Sequence, residues 1–286
     1  MARGVLKNSG NTWEAVVSAN GNWTATYAAS QVAEGTYNAA VSVDATDAAG
    51  NTATVTDSIR VDTEVVPLNM TNSGGGADGV ANAAEAATGI DLGGQVEAGS
   101  SVIVNFDGTN HTATVDSAGN WSLTIPPSAI RGGTYDAAIA VTATDSVGNV
   151  DTINDTLAID TDAPEGPVIA SYTRDGDGIR GISTEISADD LAVHQVSSNG
   201  STITEVAADQ TDVGGPVNET FFTFNSNVPD GSHLVITAED AAGNTSGTYV
   251  ALDDEVAGID NIGLNANALG EYNIETVDLN FVEDGH

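Results

Sequence analysis

The chain has 286 residues, with 6 Lys and Arg against 41 Asp and Glu, which gives a formal net charge of −35. This charge excludes nucleic acid and anionic lipid as natural partners, because both bind proteins through basic residues. The absence of cysteine excludes disulfides, thiolate metal sites and cysteine nucleophiles. No apolar stretch approaches the roughly 20 residues of a membrane span, so we expect no membrane insertion.

A tandem repeat organises the first 160 residues. The stretch that begins at Gly21 aligns without a gap with the stretch that begins at Gly119. A repeat of this size corresponds to one immunoglobulin-like domain and not to a short solenoid unit. Four matched pairs are each 98 residues apart (121 minus 23, for example): Trp23 and Trp121, Tyr37 and Tyr135, Asp47 and Asp145, Asp62 and Asp160.

Each copy has the alternation of a β-strand. From Tyr37 to Ala45 every second residue is apolar or aromatic, which predicts a strand with one buried face. A return strand follows a turn, with Val55 and Ile59 on one face. Asp57 and its counterpart Asp155 share the parity of these apolar residues, which predicts a bulge at each position.

Helical signals are few. The segment "VANAAEAATG" from Val80 predicts about one turn of helix that ends at Gly89, and "PPSAI" at 126–130 predicts a loop or 3₁₀ segment. We therefore predict an all-β chain of tandem immunoglobulin-like Greek-key β-sandwiches arranged head to tail. Its domains would be residues 1–62, which lack their opening strands, then the complete domain 63–161, then a divergent domain 162–286 with a strand in its tail.

One short acidic sequence recurs between strands. "DAAGN" occurs at 47–51 and at 240–244, and "DSVGN" occurs at 145–149. Asp, Gly and Asn are ordinary β-turn residues, because Asp bonds to nearby backbone amides and Gly tolerates positive φ. Two interpretations stay open, a turn alone and a turn that also binds a cation.

Several motifs in one order resemble a known family. "VANAAEAATGIDLGGQVEAGSSVIV", "GNW", "GTY", "VTATDSVGN" and "LAIDTDAP" are similar to bacterial Ig-like repeats of giant RTX adhesins, which are type I-secreted surface proteins of Gram-negative bacteria. The resemblance covers residues 8–165. It implies an extracellular extender segment that is stiffened by Ca²⁺ at the domain junctions and that supports adhesion or biofilm formation. Its partners would be neighbouring domains of the same chain, with a glycan or protein ligand bound through the parent adhesin.

Acidic residues lie where such junctions are expected. Ca²⁺ takes six to eight oxygen ligands from carboxylates, carbonyls and waters. "RDGDGIRGISTE" is not an EF-hand, because Arg180 stands where the loop needs Gly. The candidate calcium ligands are the linker acids and the opening polar residues of the next domain, together with the turn acids: Asp62, Glu64, Asp78, Asn82 and Glu85; Asp160, Asp162, Asp175, Asp177 and Glu185; Asp47, Asp145 and Asp240.

Other functions have weaker signals. No GxSxG elbow is present, so we expect no enzyme activity. The four histidines have no zinc-like spacing, and the paired Trp and Tyr residues are typical of a sandwich core and a tyrosine corner. The alternative function is a glycan- or peptide-binding module in the divergent third domain. Exposed aromatic rings would favour that function, and the candidates are Phe221, Phe222 and Phe224.

Overall fold

The computed structural model describes residues 3–8, 11–175, 178–185, 190–196, 203–213, 219–229, 233–251 and 273–278. Within these ranges nearly all regular structure is β-strand, and the α-helix found there spans Ala83–Thr88. The predicted all-β fold class is confirmed. In the part of the chain that is described, no helix has the length and apolarity needed to cross a bilayer.

The chain folds into two compact units. Unit A consists of residues 1–73, 91–124 and 138–156, and unit B consists of residues 74–90, 125–137 and 157–286. Each unit is described below through the sheets and the buried side chains that belong to it.

The first sheet is formed by the first copy of the repeat. Its strand order is β3-β2-β1-β4-β5. Every residue from Thr36 to Thr46 pairs in register with a residue from Asp62 back to Thr52. The bulge predicted at Asp57 is therefore wrong. The face that Asp57 shares with Val55 and Ile59 is exposed, so a carboxylate there needs no irregular backbone to reach water. The strands are β1 (Arg3–Asn8), β2 (Asn11–Val17), β3 (Trp23–Thr24), β4 (Thr36–Thr46) and β5 (Thr52–Asp62).

The second copy of the repeat forms two sheets. Their strand orders are β10-β9-β13-β14-β7 and β11-β12-β8-β6. Val104 pairs with Val141 in the first of these sheets, and Leu6 pairs with Val43 in the first copy, so the register repeats with the sequence. The strands are β6 (Leu68–Asn72), β7 (Val80–Ala81), β8 (Ile90–Val96), β9 (Ser101–Phe106), β10 (Thr109–Thr112), β11 (Thr114–Val115), β12 (Asn120–Ile125), β13 (Thr134–Thr144) and β14 (Val150–Asp160).

The predicted helical turn and 3₁₀ segment are both present. Helix α1 (Ala83–Thr88) begins with a capping box, in which the Glu85 amide donates to Asn82 Oδ1 and the Asn82 amide donates to Glu85 Oε2. The helix ends at Gly89, whose φ of 97° is strained for any other residue. The 3₁₀ turn spans Pro127–Ala129.

The core of unit A follows the alternation of its strands. Along β9, Val102, Val104 and Phe106 are buried whereas Ser101 and Ile103 are exposed. Among the side chains described in unit A, the largest that is fully buried is Trp121, whose Nε1 donates to the carbonyl of Asn69 at 3.0 Å. A Cβ added to Gly94 would lie 2.8 Å from that Nε1, so the indole ring requires glycine on the neighbouring strand.

Unit B contains a two-layer sandwich made by the divergent part of the sequence. Its sheets have the strand orders β15-β16-β20-β19 and β18-β17-β21-β22-β23. Side chains from both sheets, including Ile182, Phe224 and Leu234, share one apolar cluster. The strands are β15 (Ile169–Arg174), β16 (Gly178–Glu185), β17 (Asp190–Val196), β18 (Ile203–Glu205), β19 (Ala208–Val213), β20 (Glu219–Pro229), β21 (His233–Glu239), β22 (Thr245–Ala251) and β23 (Ile274–Asp278), the last pairing in parallel with β22.

The repeated tyrosines make the contacts of a tyrosine corner. The Tyr37 hydroxyl donates to the carbonyl of Ala33 at 3.1 Å, and the Tyr135 hydroxyl accepts from the amide of Arg131 at 3.1 Å. Both bonds reach back four residues and fix the loop that precedes the strand. These tyrosines therefore have a structural role.

Candidate calcium site

The recurring acidic sequence forms the same closed turn at each position. In each case Oδ1 of the Asp accepts the amides of the third and fifth residues of the motif, and Oδ2 accepts the Asn side chain. The turn also forms at Asp116–Asn120, which the sequence analysis missed. The Asn hydrogen bond is the main cause that holds the pKa of Asp47 and of Asp116 below the ordinary value. Hydrogen bonds within the motif therefore close the turn.

Asp145 differs from the other turn acids in its surroundings. It is 7% exposed, whereas Asp47 and Asp116 are exposed to solvent. Burial raises the pKa of Asp145, but hydrogen bonds from Asn149, Val147 and Gly148 outweigh it and leave the pKa below its usual value. Asp145 is therefore ionised at neutral pH while largely removed from water.

Three carboxylates converge in unit A. One oxygen from each of Asp62, Glu97 and Asp145 lies within 4.8 Å of the other two. Asp62 comes from the end of the first copy of the repeat, and the other two come from the second copy. Asn149 links them, because its side-chain amide donates to Asp62 Oδ1 at 3.3 Å and to Asp145 Oδ2 at 2.7 Å. We name these three acids the 62/97/145 cluster.

The cluster is short of positive charge, and one of its carboxylate oxygens lacks a hydrogen-bond donor within the described ranges. Arg60 is the cation that reaches it, with Nη2 3.3 Å from Asp62 Oδ2, but the Arg60 side chain is 67% exposed. Glu97 Oε2 is buried and has no hydrogen-bond partner among the residues that the structure describes. A buried carboxylate oxygen without a donor is costly unless a cation satisfies it. An oxygen-rich set of this kind fits Ca²⁺ better than it fits a transition metal.

Two of the three members, Asp62 and Asp145, are predictable from sequence motifs, whereas Glu97 is not. The sequence predicts Asp62 as a linker acid and Asp145 as a turn acid, without indicating at which end of the sandwich the turn lies. Glu97 directly follows strand β8, and no motif repeats around it, so its only signal was an acid at the end of an apolar strand.

The remaining linker acids make contacts that repeat between the two copies. Thr36 Oγ1 donates to Asp62 Oδ1 at 3.0 Å, and Thr134 Oγ1 donates to Asp160 Oδ1 at 2.8 Å. Asp162 also accepts from Thr134, at 3.2 Å to Oδ2, and its matched residue Glu64 lies beside Gly35. These hydrogen bonds tie the start of each linker to the first residue of β4 or β13.

The opening residues of the second domain make their contacts within unit B. We expected Asp78, Asn82 and Glu85 to join the preceding linker acids. Instead Asn82 and Glu85 cap helix α1, and Asp78 accepts the amide of Val80 at 3.1 Å. The helix start is drawn to the turn at 240–244, because Asn82 Nδ2 donates to the carbonyl of Ala242 at 3.0 Å.

Asn244 is the centre of that contact. It is 5% exposed, accepts from the amide of Ala83 at 2.8 Å and donates to the backbone carbonyl of Asp160 at 2.9 Å. The turn of Asp240 thus lies against the linker that begins at Asp160, but its neighbours there are amides and carbonyls. Among the described residues this turn joins no cluster of three acids.

Replacing Asn244 with Ala is expected to destabilise unit B by about 1 to 3 kcal/mol, because a buried donor and acceptor set is removed. The matched control is Asn51→Ala, which breaks the same turn bond at an exposed position and should cost less than about 1 kcal/mol. Urea unfolding of both variants measures the difference, and equal losses would contradict the assigned role of Asn244.

The other predicted calcium ligands that the structure describes do not belong to the 62/97/145 cluster. Asp47 and Glu185 are exposed. Asp175 is exposed, and its carbonyl accepts from Asn227 Nδ2 at 2.8 Å. Asp177 lies outside the described residues.

Within the ranges described, no histidine belongs to a group of three or more side chains that could hold a metal ion. His286 falls outside those ranges. His233 is 9% exposed and stacks on Tyr249, with ring centroids 5.4 Å apart. Burial lowers the pKa of His233.

Stability is therefore expected to fall as the pH is lowered from about 6.5, the ordinary His pKa, towards the lower folded-state pKa of His233. In that window the unfolded chain binds a proton that folded His233 resists. Thermal unfolding at several pH values between 7.5 and 5 should show this loss in the native chain and a flatter profile in His233→Phe. A native profile that is level across the window would contradict the prediction.

The aromatic residues proposed for a ligand pocket are mostly core. Phe222 and Phe224 are 5% and 0% exposed and belong to the apolar cluster of unit B, and Phe221 is half-buried. The rings of Phe222 and Phe224 fill the sandwich and offer no stacking surface, so no observation on the described residues favours the binding-module alternative.

Comparison with known proteins agrees with the fold. Ig-like β-sheets in tandem copies, with acids where the copies meet, define a chain of immunoglobulin-like modules. The sequence profile of the bacterial Ig-like domain matches residues 3–63 and 69–161, together more than half of the chain. The chain belongs to the bacterial Ig-like domain family. No curated protein matches the chain.

Three solved structures are similar. One is of a 1.5-MDa bacterial ice-binding adhesin retained at the host cell surface (23% identity, TM-score 0.46, covering 87% of this chain and 83% of that one). Another is of a Ca²⁺-stabilized adhesin that helps an Antarctic bacterium bind ice (27% identity, TM-score 0.42, covering 87% of this chain and 63% of that one). A third is of a tetra-tandem repeat from the extending region of a large adhesion protein (20% identity, TM-score 0.29, covering 87% of this chain and 65% of that one). All three TM-scores lie below 0.5, and the family assignment rests on the sequence profile.

Proposed function

We propose that this chain is a structural extender segment of a bacterial cell-surface adhesin, without enzymatic activity, whose first junction is made rigid by Ca²⁺. The observation that carries the proposal is the 62/97/145 cluster, in which carboxylates from two consecutive copies of the repeat meet around an unpartnered Glu97 oxygen. Family membership and the motif resemblance support the adhesin context.

The domain division belongs to the same proposal. Residues 1–62, 63–161 and 162–286 would be three Ig-like domains, and the two profile matches support the first boundary. Asp62 is the last residue of the first domain in this division. A cation held by Asp62, Glu97 and Asp145 would therefore fasten that domain to the next one.

Bound Ca²⁺ would supply positive charge that three nearby carboxylates lack. Without it their mutual repulsion opposes the close approach of the two copies. With it, the free energy of binding is added to the stability of the arrangement that holds all three oxygens. Extracellular modules bind Ca²⁺ with dissociation constants of roughly 10⁻⁴ to 10⁻³ M, so such a junction would stiffen after export to the surface of the Gram-negative, type I-secreting cell implied by the resemblance.

The test is thermal unfolding and small-angle scattering of the whole chain in millimolar Ca²⁺, in EGTA, and in Mg²⁺ at equal concentration. Millimolar Ca²⁺ is about 1 to 10 times such a dissociation constant, so it should stabilise the folded chain by about 0.4 to 1.4 kcal/mol and lengthen the maximum dimension. Mg²⁺ should do less, because it demands octahedral geometry and keeps its waters. Identical curves in Ca²⁺ and EGTA would refute the proposal.

A further inference from the structure

The first sheet has an apolar face that is open to solvent. On this face Val55 is 67% exposed, Ile59 is 53% exposed and Trp23 is 46% exposed. Together with Val41 and Val43 they line a groove of about 370 Å³. Large aliphatic and aromatic side chains are seldom grouped on an exposed surface unless something binds there.

The second copy of the repeat shows what covers the matched face. Trp121, the counterpart of Trp23, is 2% exposed, and Leu157, the counterpart of Ile59, is 1% exposed. Strand β12, which carries Trp121, lies between β11 and β8, and β6 follows β8 in the same sheet. The indole ring of Trp121 passes over Gly94 on β8 and donates to the carbonyl of Asn69 on β6.

Among its described residues, the first sheet has no counterpart of β6 or of β8. Its strand β3, which carries Trp23, is the end strand of the sheet and spans two residues, whereas β12 spans six. An unpaired edge next to an open apolar face can accept an added strand, with backbone hydrogen bonds for affinity and alternate side chains for specificity.

We infer that this face and the free edge of β3 bind an antiparallel strand pair with the pattern of residues 68–96, supplied by polypeptide outside residues 1–62. Three features would define the occupant: apolar residues at the places of Ile90, Leu92 and Val96, glycine at the place of Gly94, and an open carbonyl at the place of Asn69. The internal repeat itself is the template, since both faces share one sequence pattern. This inference does not depend on calcium.

A second copy of this chain is the less suitable occupant. In that copy β6 and β8 already cover Trp121 and would have to leave it. Covering Trp23 of one copy would therefore expose Trp121 of the other. Binding between copies is therefore an outcome that the test must separate.

The absence of cysteine allows a direct test, because one introduced thiol reports one position. Val55→Cys places the thiol in the groove, and Thr56→Cys places it on the opposite face of the same strand as a control. Addition of a synthetic peptide of residues 63–98 should slow maleimide modification of Val55→Cys at least about tenfold and leave Thr56→Cys unchanged. A peptide with Leu92→Asp and Val96→Asp should protect neither.

A covalent version removes the dependence on peptide affinity. A copy of residues 63–98 joined before Met1 stands in register, because residue 99 is the counterpart of residue 1. The added strands should protect Val55→Cys without peptide and move the fluorescence of Trp23 to shorter wavelength. Unchanged reactivity of Val55→Cys in this extended chain would overturn the inference. So would protection that rises with the concentration of the original chain alone, since a second copy would then be the occupant.

Discussion

Glu97→Gln is expected to remove most of the Ca²⁺-dependent rise in melting temperature and to weaken Ca²⁺ binding at least about tenfold. The substitution keeps the size of the side chain but removes one of three charges in the 62/97/145 cluster. In EGTA the variant should be as stable as the native chain or more stable. The Glu97 carboxylate lies within 4.8 Å of the other two carboxylates, so the variant relieves two repulsive pairs.

A matched pair of turn variants separates the cation from the turn. Asp145→Asn and Asp116→Asn alter the same hydrogen-bond pattern, but only Asp145 belongs to the cluster. Calorimetric titration should show weaker Ca²⁺ binding in the first variant and native binding in the second. If Glu97→Gln kept the full response to Ca²⁺, the cluster would not be the site, even where the whole chain still bound the ion elsewhere.

The fold was predictable because its signals are local. Alternation marks the strand from Tyr37, and the sequence around Asn82 and Gly89 contains both ends of helix α1. The exact 98-residue match of the copies then carried each assignment from one copy to the other. The turn at Asp116 escaped because its counterpart in the first copy begins with Ser18, which bonds the carbonyl of Asn22 through its hydroxyl.

The site was predictable only in part, because it is formed by acids that are distant in sequence and that the folded chain brings together. With 41 acids in the chain, proximity in sequence does not select the three that meet in space. Glu97 reaches Asp62 through the fold of the second copy, and Asn82 turns away because its side chain serves the helix cap and Ala242. The identical motif at Asp47 and at Asp240 also acquires different surroundings, because the turn at Asp240 packs against the earlier linker at Asp160 whereas Asp47 is exposed.

Trp121→Ala is expected to give the largest loss of stability, about 3 to 5 kcal/mol, whereas Trp23→Ala should cost less than about 1 kcal/mol. Both residues stand in the same "GNW" motif. Removal of the Trp121 side chain leaves a cavity above Gly94 and removes the indole donor of the Asn69 carbonyl. Trp23 is 46% exposed, so water already solvates much of its ring.

Differential scanning calorimetry of the two variants measures this difference, with separate transitions fitted where the chain does not unfold in one step. Equal losses would mean that Trp23 is packed as Trp121 is, contrary to its exposure. The same pair also tests why the two copies differ. In the chain extended by residues 63–98, Trp23 would acquire the glycine and carbonyl neighbours of Trp121, so the cost of Trp23→Ala should rise towards that of Trp121→Ala. A cost that stays small there would mean that the exposure of Trp23 is a property of the first copy itself and not of the strands beside it.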